Sequence, residues 1–261
     1  MRGEIEEVLQ DFEPISLEDV GKVKLMDRVD RKYVMPVELL PVLLKQLKEQ
    51  YFAQEINDNR KASYSTLYYD TPDYHFYHSH VNGKLNRTKV RIRRYDDVNI
   101  QYLEAKLKSN KGRTSKVRIK SSGFKDINDE GVDFLDEYID EIDSNNLKPV
   151  LTNSFKRMTL VNKEFNERVT IDVDLSFKKY DKTRELIAPS LCIVEIKQNR
   201  RGYSPIGLAL RDMRVKKRGI SKYCLGISML FDEVKSNRYR ARVRQYEKII
   251  NNRFIINKLE K

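Results

Sequence analysis

The stretch from Arg87 to Lys120 alternates basic and apolar side chains with a period of two, a pattern typical of β-strands with two different faces. Its first run has four cations on one face and Thr88, Val90 and Ile92 on the other. Two further runs repeat the pattern, so three neighbouring strands would form a sheet that is apolar on one side and rich in cations on the other. The polar side comprises Arg87, Lys89, Arg91, Arg93, Tyr102, Glu104, Lys106, Lys108, Lys116, Arg118 and Lys120.

Such a basic face needs a source of negative charge. Like charges that face each other across a strand pair destabilise a sheet, so water, carboxylates or a bound anion must screen them. A polyanion would screen many of these charges at once. Phosphate is the natural candidate, because Arg offers its oxygens a bidentate fork and Lys a compact positive charge.

The composition agrees with a folded protein that has anionic partners. The 261 residues include 51 Lys and Arg against 39 Asp and Glu, and 39% are hydrophobic, enough for one large domain or two small ones. The net charge of +12 and the pI near 9.5 favour anions without choosing among nucleotides, nucleic acids and membrane surfaces. No apolar run reaches membrane-spanning length and the N-terminus lacks a signal peptide's apolar region, so a cytoplasmic location is expected.

Neither cysteine nor histidine shows the spacing of a metal site. Cys192 and Cys224 lie far apart in sequence and are expected to be small buried residues. His75, His78 and His80 lie close together, but no cysteine or carboxylate pattern accompanies them. A surface helix explains these histidines better than a metal centre.

The rest of the chain predicts an α+β protein with about eight antiparallel strands. Further strands are expected near residues 28–34, 62–70, 155–160, 168–174 and 191–197, whereas helices are few and mostly peripheral. Neither a βαβ rhythm nor an internal repeat is present, and an antiparallel sheet of this size can close into a barrel.

The barrel could close in two ways. With its apolar faces inward it would be an ordinary barrel with a basic skin. With its charged faces inward it would enclose a hydrated, cation-lined tunnel, and helices would have to cover the apolar outside. The acidic amphipathic stretch at residues 132–142 and the helices after residue 203 are available for that covering.

Carboxylates on the basic faces favour the tunnel. Glu104, Asp172, Asp174 and Glu195 share faces with Arg and Lys. A nucleic-acid platform gains nothing from carboxylates in its track, so no nucleic acid partner is expected, whereas a metal-bound oligophosphate needs them to hold Mg²⁺ or Mn²⁺. For any single carboxylate, pairing with a neighbouring cation is the simpler explanation, and only the pattern across several strands favours a functional one.

Six short motifs, taken in chain order, resemble those of the VTC domain, the polyphosphate polymerase domain of the vacuolar transporter chaperone complex, which also occurs as stand-alone bacterial proteins. They are Arg31-Lys32-Tyr33, Arg91-Ile92-Arg93-Arg94-Tyr95, Leu103-Glu104-Ala105-Lys106-Leu107-Lys108, Ile171-Asp172-Val173-Asp174, Val194-Glu195-Ile196-Lys197 and Ser221-Lys222-Tyr223. The resemblance runs from about residue 15 to residue 232. It implies a triphosphate tunnel metalloenzyme, with a closed, antiparallel, eight-stranded β-barrel and helices packed on its outside.

The resemblance also implies an activity and the residues that carry it. ATP would place its triphosphate in the tunnel, and its γ-phosphoryl group would move to the end of an inorganic polyphosphate chain. Glu195 falls at the family's metal-binding glutamate, which implies Mn²⁺ or Mg²⁺ as cofactor. The implied phosphate-binding residues are Lys32, Arg91, Arg93, Lys106, Lys116, Arg157, Arg168, Lys197, Ser221 and Lys222. The implied catalytic residues are Arg91, Arg93, Lys106, Glu195 and Lys222.

Two other functions would use nearly the same residues. A triphosphatase differs mainly in that water rather than a phosphate chain attacks. A non-catalytic binder of polyphosphate or RNA would keep the cations and tolerate the loss of Glu195. For an enzyme, charge reversal at Arg91 or Arg93 is expected to abolish turnover while the fold stays intact.

The segment after the predicted tunnel domain (residues 1–232) is strongly basic. Residues 233–261 have apolar positions at helical spacing, which predicts an amphipathic helix. Three uses are open: packing on the outside of the barrel, gripping an emerging polyphosphate chain, or touching an anionic membrane or a membrane protein partner.

Overall fold

The computed structural model describes residues 2–23, 28–111, 114–199 and 202–259. Its α-helices are α1 (Arg2–Gln10), α2 (Leu17–Gly21), α3 (Leu40–Lys45), α4 (His75–Val81), α5 (Asp129–Asp136), α6 (Pro205–Asp212), α7 (Lys222–Leu230) and α8 (Asn237–Ile249). Its strands are β1 (Glu13–Ile15), β2 (Arg28–Pro36), β3 (Tyr51–Gln54), β4 (Ala62–Asp70), β5 (Arg87–Tyr95), β6 (Ile100–Lys108), β7 (Thr114–Lys120), β8 (Lys148–Asn162), β9 (Glu167–Lys179), β10 (Arg184–Ala188), β11 (Leu191–Asn199) and β12 (Ile255–Lys258).

The strands of the described residues belong to one curved sheet. Eight of them follow one another in the order β2-β11-β9-β8-β4-β5-β6-β7, and every neighbouring pair is antiparallel. The long strands β8 and β9 also pair beyond this path, β8 with β3 and β9 with β10. Irregular register opposite Ser154 and Lys156 places an extra residue on β9 near Asp174, whose φ is +53°, and such a bulge bends its strand and increases the local twist.

The α+β class with a barrel-like antiparallel sheet is confirmed, but the expected closure is not made by hydrogen bonds. Within the described residues, the two end strands β2 and β7 do not pair with each other. Lys32 of β2 and Lys116 of β7 nevertheless line the same cavity. The eight strands therefore wrap around one interior and leave a seam in the main-chain ladder.

The charged faces of the strands point inward and the apolar faces point outward. On β5, Val90 and Ile92 are fully buried and belong to an outer apolar cluster with Leu135 of α5. Helices α1, α3 and α6 cover the outer side of β2, β9 and β11. Helices α7 and α8 instead pack against inward-facing apolar residues of β8 to β10, such as Leu151 and Phe177, in a cluster that also contains the cavity residues Tyr68 and Ile193. Of the two closures open to the sequence, the structure has the cation-lined interior.

Several local predictions need adjustment. The acidic helix ends at Asp136, although Ile139 beyond it is still buried. The short strands β1, β3, β10 and β12 were not foreseen, and β12 lies in the C-terminal segment that was predicted to be helical throughout. The histidine-containing segment forms helix α4 as predicted, but its residues are buried or half-buried instead of lying on the surface. Among the described residues there is no cluster of three or more His, Cys, Asp or Glu suited to a metal. Cys192 and Cys224 are both buried and free.

The basic C-terminal segment packs against the rest of the protein. Tyr239, Val243 and Tyr246 of α8 join the apolar cluster that α7 forms with β8, β9 and β10. Strand β12 extends the sheet by pairing with β10. Packing therefore accounts for the apolar stripe of α8, and its exposed arginines are left for another role. No described helix is long and apolar enough to cross a membrane.

Candidate functional site

The strands enclose a cavity of about 500 Å³ with a strongly cationic wall. Ten of the residues that line it are Lys or Arg, and three are Asp or Glu. The cations are Lys32, Lys89, Arg91, Arg93, Lys106, Lys116, Arg157, Arg168, Lys197 and Lys222, and the carboxylates are Asp30, Asp172 and Glu195. Such a wall suits a ligand with several negative charges.

The strand registers explain why these side chains converge. Alternate residues of a strand share a face, so Lys89, Arg91 and Arg93 of β5 all point into the cavity. Lys106 of β6 lies directly opposite Lys89. Lys116 of β7 lies directly opposite Lys106, so one row of lysines crosses three strands.

A buried carboxylate organises this side of the wall. Glu104 is only 1% exposed, and it accepts hydrogen bonds from Nε and Nη2 of Arg91 at 2.8 and 2.7 Å. Lys116 donates to the other carboxylate oxygen at 2.9 Å. Burial raises the pKa of Glu104, but Arg91, Arg93 and Lys116 outweigh it and hold the pKa at about 2. Glu104 therefore stays ionised and fixes the orientation of two cavity cations.

A second buried carboxylate has the same arrangement on the opposite strands. Asp172 of β9 accepts hydrogen bonds from Nε and Nη2 of Arg157 at 2.6 and 2.8 Å, and from Nζ of Lys222. Lys222 also lies 3.3 Å from the centroid of the Phe155 ring, a cation–π contact. Although burial acts in the other direction, Arg157 and Lys222 hold the pKa of Asp172 well below its usual range.

The start of helix α7 brings Ser221 and Lys222 into the wall. Ser221 caps the helix by accepting a hydrogen bond from the backbone N–H of Cys224, and its hydroxyl also accepts one from Lys89 at 3.0 Å. The helix N-terminus adds the positive end of its dipole to the cavity. The Ser-Lys pair is thus held by secondary structure, not by a flexible loop.

Glu195 differs from the other two carboxylates. It faces Lys32 across the β2–β11 pair, with 3.7 Å between Nζ and Oε1, which is longer than a hydrogen bond. Burial raises its pKa, but Lys32 and Lys197 outweigh that effect and the pKa falls to about 2. Glu195 is therefore an ionised carboxylate whose cation partner lies beyond hydrogen-bond length.

Arg93 and Lys89 are cations without such an anchor. Arg93 is 9% exposed, and its Nε has no hydrogen-bond partner, which is costly for a buried charged group. Burial lowers the pKa of Arg93 to about 10 and that of Lys89 to about 8, and Lys106 and Arg91 push the pKa of Lys89 in the same direction. An anion in the cavity would supply what these groups lack.

The comparison with protein families identifies the chain. The family model described as the VTC domain matches residues 27–231. The chain belongs to the VTC domain family. The match covers β2 to α7, so every residue of the cavity wall falls inside it, whereas α8 and β12 fall outside.

Solved structures similar to this VTC domain protein have low sequence identity. A putative adenylate cyclase from Vibrio parahaemolyticus aligns with a TM-score of 0.46 at 11% identity, over 77% of this chain and 97% of that one. A putative adenylyl cyclase from Hippeastrum, described as having a dominant triphosphatase activity, gives 0.43 at 16% identity, over 78% and 96%. The Pct1 RNA triphosphatase of S. pombe gives 0.28 at 11% identity, over 89% and 82%. No curated protein sequence matches the chain.

The cavity of the VTC domain brings together all the residues that the sequence proposed for a site. They are Lys32, Arg91, Arg93, Lys106, Lys116, Arg157, Arg168, Glu195, Lys197, Ser221 and Lys222. Their individual roles stay predictions. Sequence reasoning had put Lys89 on the same strand face but not in the site, and its alternation with Arg91 was the signal that could have added it. Asp30 also lines the cavity, and its alternation with Lys32 was the same kind of signal, whereas Tyr68 and Thr114 carry no charge that could have marked them.

Proposed function

We propose that the protein is an ATP-dependent polyphosphate polymerase that transfers the γ-phosphoryl group of ATP to a growing inorganic polyphosphate chain. The observation that carries the proposal is the cavity itself, with ten cations against three carboxylates in about 500 Å³. Membership of the VTC domain family supports the same substrate class. A single phosphate would neutralise only a small part of this wall, whereas a triphosphate or a phosphate chain matches it.

The side chains divide the binding task. Arg91 and Arg157 have planar guanidinium groups that Glu104 and Asp172 hold in place, so they can meet phosphate oxygens with little loss of conformational freedom. Arg93 offers an unsatisfied donor on the same wall. The lysines add point charges, which attract any phosphate regardless of its orientation.

A divalent metal fits the donor set only in company with phosphate. The described residues contain no cluster of three metal-binding side chains, so the protein alone offers too few ligands for a resident ion. Mg²⁺ in phosphoryl-transfer sites is commonly held by one or two carboxylates together with substrate phosphates and water. Glu195 would hold such an ion, and Asp30, diagonal to it on β2, could assist. When bound, Mn²⁺ or Mg²⁺ would neutralise charge that develops on the phosphate oxygens.

The reaction needs alignment and charge neutralisation more than covalent chemistry. A terminal oxygen of the polyphosphate chain attacks the γ-phosphorus of ATP, the bond from that phosphorus to the β–γ bridging oxygen breaks, and ADP leaves. The cavity cations hold the two polyanions together despite their mutual repulsion and stabilise the charge on the transferring group. Protein nucleophiles take no part.

The decisive test is incubation of the purified protein with ATP and Mn²⁺ or Mg²⁺, with polyphosphate and free phosphate measured separately. Polyphosphate that forms together with ADP, and is lost in Glu195→Gln, is the expected result. Free phosphate without polymer would replace the proposal with a triphosphatase. Tight binding of polyphosphate without turnover and without metal dependence would leave a binding module.

A further inference from the structure

The row of cations in the cavity continues beyond the cavity wall. On the β5–β6 pair, Lys89 lies opposite Lys106, and the next inward-facing pair along the same strands is Arg87 opposite Lys108. Arg91, one step in the other direction, lies opposite Glu104 and is neutralised by it. On the β5–β6 pair, the positive charge of Arg91 is thus screened by Glu104. The next two pairs toward Arg87, which we call the outer end, each join two cations.

Helix α8 is anchored at this same end of the cavity. The Tyr239 hydroxyl bonds to the backbone carbonyl and N–H of Ser221, at 3.2 Å in each case, and the Ser221 side chain in turn receives Lys89. At the helix start, Arg238 donates to the side chain of Asn82 at 2.9 Å, which ties α8 to the end of α4. The C-terminal helix therefore stands beside the outer end of the cation row.

Arg242 is the α8 residue that adds charge at this position. Its guanidinium lies 5.9 Å from the ring centroid of Tyr239, one turn earlier on the helix, and its side chain is exposed. The neighbouring His80 of α4 reports the local charge. Burial lowers its pKa to about 2, and four cations act in the same direction: Lys89, Arg87, Arg242 and Lys108. Strands β5 and β6 and helix α8 therefore each place at least one cation near His80.

Three of these cations, Arg87, Lys108 and Arg242, form what we call the outer basic cluster. Within the described parts of the chain, none of the three forms an ion pair with Asp or Glu. Directly opposed like charges destabilise a strand pair, and here no described carboxylate offsets them as Glu104 does further in. The arrangement costs stability and is relieved when an anion binds.

We propose that the outer basic cluster is a second phosphate-binding site, which holds a polyphosphate chain where it leaves the cavity beside α8. The proposal rests on the proposed function for the nature of the ligand. Its position supports a chain over isolated phosphates, because Lys89 belongs to the cavity wall and also borders the cluster, so one extended polyanion can contact both sites. The family match ends at residue 231, so Arg242 is a contribution of the segment outside it.

The test compares a short and a long ligand on the same protein. Binding of tripolyphosphate and of long-chain inorganic polyphosphate is measured by calorimetry at fixed ionic strength for the wild type, for R87Q/R242Q, and for R244Q. Arg244 is an exposed arginine of the same helix that lines a different surface pocket, beside Arg184 and Asp232, so it is the matched control. We expect R87Q/R242Q to lose about three- to tenfold in affinity for the long chain and to keep its affinity for tripolyphosphate, while R244Q matches the wild type.

Other outcomes would overturn the proposal in distinguishable ways. If R87Q/R242Q binds both ligands like the wild type, or loses affinity for both equally, the outer site does not exist as a separate site, and the cavity's proposed function still stands. If the wild type binds neither ligand, the proposed function fails as well. If the variant binds polyphosphate normally but loses binding to vesicles that contain phosphatidylserine, the cluster belongs to a membrane contact instead.

Discussion

Three carboxylates in or next to the cavity wall, Glu104, Asp172 and Glu195, are of two kinds. Glu104 and Asp172 are each almost completely buried and each hold an arginine and a lysine by hydrogen bonds. Glu195 has a more exposed side chain, at 16%, and its partner Lys32 is 3.7 Å away. Carboxylates of the first kind hold cavity cations in place. The second kind, Glu195, retains oxygen atoms that can bind a further cation. Residues that look equivalent in the sequence therefore have different roles, and this division can be tested.

The largest effect is expected on stability when a fixed carboxylate is neutralised. Asp172→Asn leaves the buried Arg157 and Lys222 without a counter-charge, and removing one partner of a buried pair typically costs about 3–5 kcal/mol. Glu195→Gln should change the free energy of unfolding by less than about 1 kcal/mol, because its contact with Lys32 is long. Urea denaturation of the two variants measures both. Equal losses would remove the distinction between the two kinds of carboxylate.

The next effect concerns Arg93, one of the cavity cations that no described carboxylate holds by a hydrogen bond. Arg93→Gln should reduce turnover about 100-fold, since it removes a donor aimed at the phosphates, and should leave the unfolding free energy nearly unchanged. Arg94→Gln is the matched control, because the adjacent Arg94 pairs with Asp96 at 2.6 Å and does not line the cavity. Steady-state kinetics beside thermal unfolding reports both quantities. A variant of Arg93 with normal turnover would take this residue out of the site.

Arg91, unlike Arg93, is hydrogen-bonded to a buried carboxylate, and this changes the expected effect of charge reversal on the fold. Charge reversal there would place a second carboxylate against the buried Glu104, so loss of the fold is now expected. The sequence-based expectation of an intact fold therefore stays a prediction for Arg93 alone.

A smaller, graded effect is expected from pH. Burial lowers the pKa of Lys89 and of Lys197 to about 8, below the value that a lysine has in the unfolded chain. Between about pH 8 and 10.5 the unfolded chain binds more protons, so the ligand-free protein should become more stable as pH rises. Phosphate binding favours the charged lysines, so affinity for tripolyphosphate should fall over the same range. Denaturation at pH 7 and 9 measures the unfolding free energy, and calorimetry at the same pH values measures the affinity for tripolyphosphate. If both quantities rise or both fall, Lys89 and Lys197 do not have the lowered pKa values described here. Lys89→Arg should weaken the pH dependence of binding, because an arginine there stays charged.

The smallest effect is expected for Lys116, the more exposed of the two residues that donate hydrogen bonds to Glu104. Lys116 donates to Glu104 at 2.9 Å, but its side chain is 43% exposed, and solvent-exposed pairs contribute less than about 1 kcal/mol. Lys116→Gln should therefore shift the urea midpoint only slightly. A loss as large as that of Asp172→Asn would mean that Glu104 depends on both of its partners equally.

Much of the site was predictable because strand geometry is simple. A period of two decides which residues share a face, so the basic rows of β5, β6 and β7 could be read directly, and the cavity brings together all eleven residues proposed for it. The roles of the individual carboxylates could not be predicted in the same way. Glu104, Asp172 and Glu195 have the same local pattern, and only their partners on neighbouring strands separate a fixed counter-ion from a more loosely paired carboxylate.

The sequence by itself determined the eight strands around the cavity, their two faces and the cationic character of one face, because these follow from local alternation and net charge. The tertiary structure decided which face is inside, because that depends on apolar helices such as α3 and α5 covering the outer surface. It also decided that β2 and β7 leave a seam and that α8 stands beside the cation row. These features depend on contacts between residues far apart in the chain, for which local sequence carries no signal.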